Sequence, residues 1–224
     1  TATTGAITMT SGVQTVAVTG ADDATVDYTA GSNIGVSIIE SDGAVTLVSG
    51  GAIYDNLTGE ANNLRGGTIV AVLTAETGIG HLASASQDDL DVEIAELTLS
   101  NSTSGNVYIE ESDNLLISSV GVGVTTSGSD GSVSIQTISG NLTVSGSITL
   151  SADAGDLVLS AGTAGNIAVN NTISSSKGSL ALVAAGGITQ TAAGDLTTLG
   201  TAENIILSGS GDISMANGAV SSSN

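Results

Sequence analysis

Residues 131–150 read Gly131-Ser132-Val133-Ser134-Ile135-Gln136-Thr137-Ile138-Ser139-Gly140-Asn141-Leu142-Thr143-Val144-Ser145-Gly146-Ser147-Ile148-Thr149-Leu150. Three times in this stretch a glycine is followed by a small or polar residue and then by two apolar residues separated by one position. Each unit is a turn residue leading into a strand whose alternate side chains face one way. The pattern continues as Gly155-Asp156-Leu157-Val158-Leu159, Gly165-Asn166-Ile167-Ala168-Val169, Gly178-Ser179-Leu180-Ala181-Leu182 and Gly211-Asp212-Ile213-Ser214-Met215. Upstream it occurs as Gly5-Ala6-Ile7-Thr8-Met9, Gly43-Ala44-Val45-Thr46-Leu47 and Gly105-Asn106-Val107-Tyr108-Ile109. Strands this short are not stable singly, so they must stack.

Spacing indicates how. Val133, Leu157, Leu180 and Ile205 are 24, 23 and 25 residues apart, and Val45 to Ile69 is again 24. A steady period of this size marks a solenoid. Ile148, Ile167, Ile188 and Ile213 form a second set between them, so each coil carries at least two strands. The stretch Leu90–Leu99 alternates over Leu90–Ile94 and resumes at Leu97 after a one-residue slip, which reads as strand, corner, strand. The fold expected is all-β: a parallel β-helix (β-solenoid) of about ten coils of roughly 20–25 residues, without significant helix. At about 4.8 Å per coil that makes a rod on the order of 45 Å long.

Composition agrees. The chain has 224 residues, 40% hydrophobic, with 31 Gly, three Tyr and no Phe, Trp, Pro or Cys. Its interior must be built from Val, Ile, Leu and Ala, which suit narrow repetitive layers. Missing proline fits strands that each donate to a neighbour. Missing cysteine excludes disulfide scaffolds and cysteine-based metal sites. Twenty-two acids oppose only Arg65 and Lys177, a formal net charge of −20, which would repel nucleic acid and anionic membranes. Sixteen of the acids fall in residues 1–115 and six in 116–224, so an acidic half precedes a nearly neutral Ser/Thr/Gly-rich half. No linker separates them, and residues 1–224 read as one continuous array. The longest near-apolar run, Leu180–Ile188, is far too short to span a bilayer, so no membrane insertion is expected. The opening Thr1-Ala2-Thr3-Thr4 suggests a processed or excised start. Neither end carries a visible polar cap, as though the segment continues or copies stack end to end.

The block from Gly66 to Ile117 holds Thr68-Ile69-Val70-Ala71-Val72-Leu73-Thr74-Ala75, Gly78-Ile79-Gly80, Leu97-Thr98-Leu99, Gly105-Asn106-Val107-Tyr108-Ile109-Glu110-Glu111 and Leu115-Leu116-Ile117. With Gly51-Ala52-Ile53-Tyr54-Asp55-Asn56 upstream, it resembles the filamentous-haemagglutinin-type repeats of giant bacterial secreted and surface adhesins. The resemblance implies a right-handed parallel β-helix, secretion to the cell surface, and an adhesive or structural role. It carries no catalytic residues to transfer.

Single features read mainly as structure. Gly78-Ile79-Gly80-His81-Leu82-Ala83 fits a dinucleotide fingerprint, with Glu96 downstream. That mechanism needs a helix N-terminus, and the adjoining Ser84-Ala85-Ser86-Gln87-Asp88-Asp89 has no helical apolar face, so a turn is expected. His81 is the sole histidine and is expected to be a turn residue. Arg65 and Lys177 lie about five coils, on the order of 20 Å, apart, too far to share a lyase site. No residue is assigned a catalytic or cofactor-binding role. Calcium is the ligand the acids would suit, through Asp88, Asp89, Asp91 and Glu93, through Glu110, Glu111 and Asp113, or through Asp22, Asp23 and Asp27. The alternation of Asp91 and Glu93 with Leu90, Val92 and Ile94 instead reads as a solvated outer face. Asn56, Asn101, Asn141 and Asn170 begin glycosylation sequons of the kind a Ser/Thr-rich chain yields by chance. The function expected is structural: a segment of an extracellular filament or giant surface adhesin whose partners are its own copies or flanking repeats. An adhesin tract binding glycan or calcium on its flank is the alternative, and a polysaccharide-active β-helix stands third.

Overall fold

The computed structural model describes residues 1–20, 24–80, 89–124, 131–152, 155–200 and 203–223. Its strands fall into nine tiers. The first four are β1 (Ile7–Thr8), β2 (Gln14–Ala17), β3 (Val26–Ala30); β4 (Ile34–Val36), β5 (Ile38–Ser41), β6 (Val45–Ser49); β7 (Ile53–Asp55), β8 (Leu64–Arg65), β9 (Val70–Ala75); and β10 (Ile79–Gly80), β11 (Leu90–Glu93), β12 (Glu96–Asn101). The fifth holds β13 (Val107–Glu111) and β14 (Leu115–Val124). The last four are β15 (Val133–Ser139), β16 (Leu142–Val144), β17 (Ile148–Ala152); β18 (Leu157–Thr163), β19 (Ile167–Val169), β20 (Ile173–Ser175); β21 (Leu180–Ala184), β22 (Ile188–Gln190), β23 (Leu196–Thr198); and β24 (Ile205–Gly209), β25 (Ile213–Met215), β26 (Ser221–Ser223). In all ten glycine-led units the third residue is the first residue of a strand.

Every strand pairs in parallel with its counterpart one tier away, forming two 13-stranded sheets that make the walls of a β-solenoid. No helix occurs among the described residues. One core ladder runs through all nine tiers: Ile7, Ile34, Ile53, Ile79, Val107, Val133, Leu157, Leu180 and Ile205. Its steps range from 19 residues (Ile34 to Ile53) to 28 (Ile79 to Val107), so the chain completes eight turns between first and last tier, close to the ten coils expected. Eight steps of about 4.8 Å give an axis of about 38 Å. From Ile34 to Leu180 the ladder residues are buried, and each coil hides its aliphatic face only by stacking on the next.

Two register expectations need correction. Val45 pairs with Ala71, not Ile69. Ile148 pairs with Ile173, whereas Ile167, Ile188 and Ile213 follow Leu142 in another ladder. Every tier but the fifth has three strands, and corners of unequal length separate ladders that share a similar period.

The cross-section changes at the fifth tier, where the acid-rich part of the sequence also ends. Before it, the first sheet holds two short strands per tier and the second sheet one long strand; after it, the arrangement is reversed. On one side β13 fuses two ladders, because Val107 pairs with Ile79 and Ile109 with Leu90. On the other side β14 splits, its start pairing with β16 and its end with β17. The split grows from a bulge. Leu97 pairs with Ile117 but Thr98 with Ser119, leaving Ser118 as the extra residue. Gly146 turns directly over it, where an added Cβ would stand 1.6 Å from the Ser118 carbonyl oxygen. Only glycine fits there.

The residue after the leading glycine has its own task. Asn106 Oδ1 accepts from the N–H groups of Gly131 and Ser132, both at 3.0 Å. Asn141 Oδ1 accepts from Asn166 N (3.0 Å), Asn166 Oδ1 from Gly187 N (2.8 Å), and Asp156 Oδ1 from Ser179 N (2.8 Å). At these four corners a short acceptor thus satisfies a backbone donor of the next tier.

Candidate functional site

Corners explain most buried polar side chains. Ser49, Ser175 and Asn101 face inward at strand ends and bind the backbone of the adjoining turn or of the neighbouring tier. Asn101 is fully buried in that role, so its sequon is inaccessible in the folded chain. Three acids are buried as well: Asp55, Asp91 and Glu111.

Glu111 overturns the expectation of a solvated acid. It sits two residues after Ile109 on β13, at the same inward parity as Val107 and Ile109, and is fully buried. Its carboxylate accepts from Ile94 N (3.0 Å) and Asp113 N (3.2 Å), holding the corner between β11 and β12 and the one after β13. Burial pushes its carboxyl up to about 8, against the opposing pull of those N–H groups. Asp55 repeats the arrangement at the end of β7. Its Oδ1 accepts from Leu57 N (2.7 Å) and from Asn63 Nδ2, while its Oδ2 is buried without a partner. Burial again raises its carboxyl. Asn63 Oδ1 in turn accepts from Asp91 N (3.0 Å), tying the third tier to the fourth.

Asp91 does stand on the outer side of β11, as its alternation with Leu90 and Val92 requires, yet it is only 5% exposed. The turn after β7 brings Glu60 beside it, and outward parity here does not mean solvation. One carboxylate oxygen each of Glu60, Asp89 and Asp91 lie within 4.8 Å of one another, with Glu60 exposed and Asp89 half-buried. Burial first, and then repulsion from Asp89, Glu110, Glu60 and Asp55, lifts the Asp91 carboxyl to about 7.

The other candidate acids disperse. Glu110 is half-buried on the outer face of β13 and accepts from Gln136 Nε2. Asp113 is exposed in the next turn, and Asp27 is exposed on β3. Glu93 lies in register with Arg65, which is itself in register with Glu40, placing an acid on each side of the arginine. Asp88, Asp22, Asp23 and His81 lie outside the described residues. Gly78-Ile79-Gly80 is not a turn but leads into and forms β10, and a Cβ on Gly80 would meet the Tyr108 carbonyl oxygen at 2.2 Å. Arg65 belongs to the third tier and Lys177 comes after the seventh-tier strand β20, about four tiers or about 19 Å along the axis.

Glu60 and Asp55 are the members absent from the sequence-based candidates. Asp55 stands two residues after Ile53, at the same inward parity, which is a signal of burial. Nothing in the local pattern marks Glu60, which reaches Asp91 only through the tertiary course of its turn. No family model, curated protein or solved structure matches the chain, so the meaning of the site rests on its geometry.

Proposed function

We propose that the chain is a structural repeat segment of an extracellular bacterial filament or giant surface adhesin, continuing into, or stacking on, further solenoid tiers. The carrying observation is the unbroken ladder from Ile7 to Ile205, which makes the described body a rod held by aliphatic stacking and parallel backbone pairing. Such a body supplies length and resistance to unfolding, because each tier is secured by two neighbours. The resemblance to haemagglutinin-type repeats supports placement at the cell surface, and so does the acidic composition.

Electron microscopy of the purified chain tests this. Continuous fibres mean a subunit that assembles end to end, and separate rods of about 38 Å mean a segment of a longer solenoid. Compact globules overturn the proposal.

A further inference from the structure

We propose that Glu60, Asp89 and Asp91 bind a calcium ion that clamps the turn after β7, in the third tier, to the start of β11 in the fourth. Calcium takes oxygen ligands at about 2.3–2.6 Å, so two oxygens on one ion stand at most about 5 Å apart. The three carboxylate oxygens, all within 4.8 Å of one another, meet that limit.

The second observation is the state of Asp91. It is 5% exposed, and among the described residues no hydrogen-bond donor reaches its carboxylate, which is aimed at the other two. A buried carboxylate ordinarily has a partner. Glu111, on the neighbouring strand, shows what this fold does otherwise: its carboxylate takes two backbone N–H groups. Asp91 has acids instead of donors around it, an arrangement that costs stability empty and is relieved by a cation.

The ligand set selects the ion's class. Three carboxylates without histidine or cysteine suit a hard cation. Burial falls from Asp91 through Asp89 to Glu60, leaving the Glu60 side open to solvent, where water can complete the shell. Ligands carried by an irregular turn and a strand end suit the adaptable coordination of calcium better than the strict octahedron of magnesium. The ion would join two tiers directly, doing on the outside what Asn63 does within.

Calcium titration of the whole chain after chelation, by calorimetry and thermal unfolding, tests the proposal. One saturable site is expected, with Kd in the range of about 10⁻⁴–10⁻³ M typical of extracellular modules. At ten times Kd the unfolding temperature should rise by about 3–6 °C. Asp91→Asn should abolish both signals while the calcium-free variant unfolds no lower than the parent, since an unpartnered buried charge has been removed. Should that variant fail to fold, Glu60→Gln, at an exposed residue, carries the test and should weaken binding at least tenfold. Asp195→Asn, distant from the cluster, should leave the response intact. No saturable heat, a shift matched by equal magnesium or ionic strength, or a response surviving both cluster substitutions would overturn the proposal. None of these outcomes bears on whether the chain forms rods or fibres, so the structural reading stands or falls separately.

Discussion

Replacing Glu111 with glutamine should flatten the dependence of stability on pH between about 4.5 and 8. Burial lifts this carboxyl from an ordinary 4.5 to about 8, with Asp113 adding repulsion and the N–H groups of Ile94, Asp113 and Ser112 opposing. Between those values the folded chain holds a proton that the unfolded chain has released. Stability therefore falls as pH rises through the window, is fully present below 4.5 and is fully lost above 8. At 1.36 kcal/mol per unit, the shift corresponds to about 3–5 kcal/mol over the whole range. Glutamine cannot ionise, so that slope vanishes. It keeps one acceptor oxygen for Ile94 N or Asp113 N and turns an NH₂ toward the other, costing about 1–3 kcal/mol at every pH. The variant should thus be less stable than the parent at pH 5 and equal or more stable at pH 9. Urea unfolding followed by circular dichroism, at fixed ionic strength and one-unit steps, gives the two curves. Asp91 and the overall negative charge contribute the same slope to both proteins, so the difference isolates Glu111. A difference that stays constant from pH 5 to 9 would refute the assignment of a buried, proton-holding carboxyl.

Two further perturbations probe the ladders. Leu157→Ala empties one step of the continuous core stack between Val133 and Leu180 and should cost about 2–5 kcal/mol in urea unfolding, whereas Leu199→Ala, at a side chain 61% exposed, should change stability by less than about 0.5 kcal/mol. Asn166→Ala removes the acceptor for Gly187 N and the donor to Asn141 Oδ1 and should cost about 1 kcal/mol; Asn166→Asp retains the acceptor and should recover most of it in the same assay.

The solenoid is legible in the sequence because its instruction is local. A glycine, a small or polar residue and an alternating apolar pair specify where a strand begins. Lateral register is less legible. Ile148 and Ile167 look interchangeable in spacing, and only the extra corner seeded at Ser118 and Gly146 assigns them to different ladders. Parity identifies Leu90, Val92 and Ile109 as core, and extended by one step it puts Glu111 and Asp55 inside as well. Their acidic character argues against that, and only the turn N–H groups waiting at the corners reconcile charge with burial. Asp91 departs in the opposite sense: its outward parity is plain from its neighbours, but exposure depends on what folds across a strand. Glu60 comes to it from a turn that no periodicity describes.

The division of the chain at its fifth tier has a chemical counterpart inside the rod. All the buried acids among the described residues, Asp55, Asp91 and Glu111, lie at or before that tier; beyond it the buried polar residues are Thr137, Ser175, Gln190 and Thr198, none of which titrates. The architecture asks the same thing of both halves, since each corner exposes backbone donors that need an inward or edge acceptor. Carboxylates are strong acceptors that carry a desolvation cost once buried, and hydroxyls and carboxamides are weaker acceptors without it. The first half therefore gains corners that respond to protons and, through Asp91, a place for a cation. The second keeps its buried corner residues uncharged, and its corner carboxylates, Asp156 and Asp195, stand outside the buried set. Of the sixteen acids in residues 1–115, Asp55 and Glu111 are those that hold inward corners.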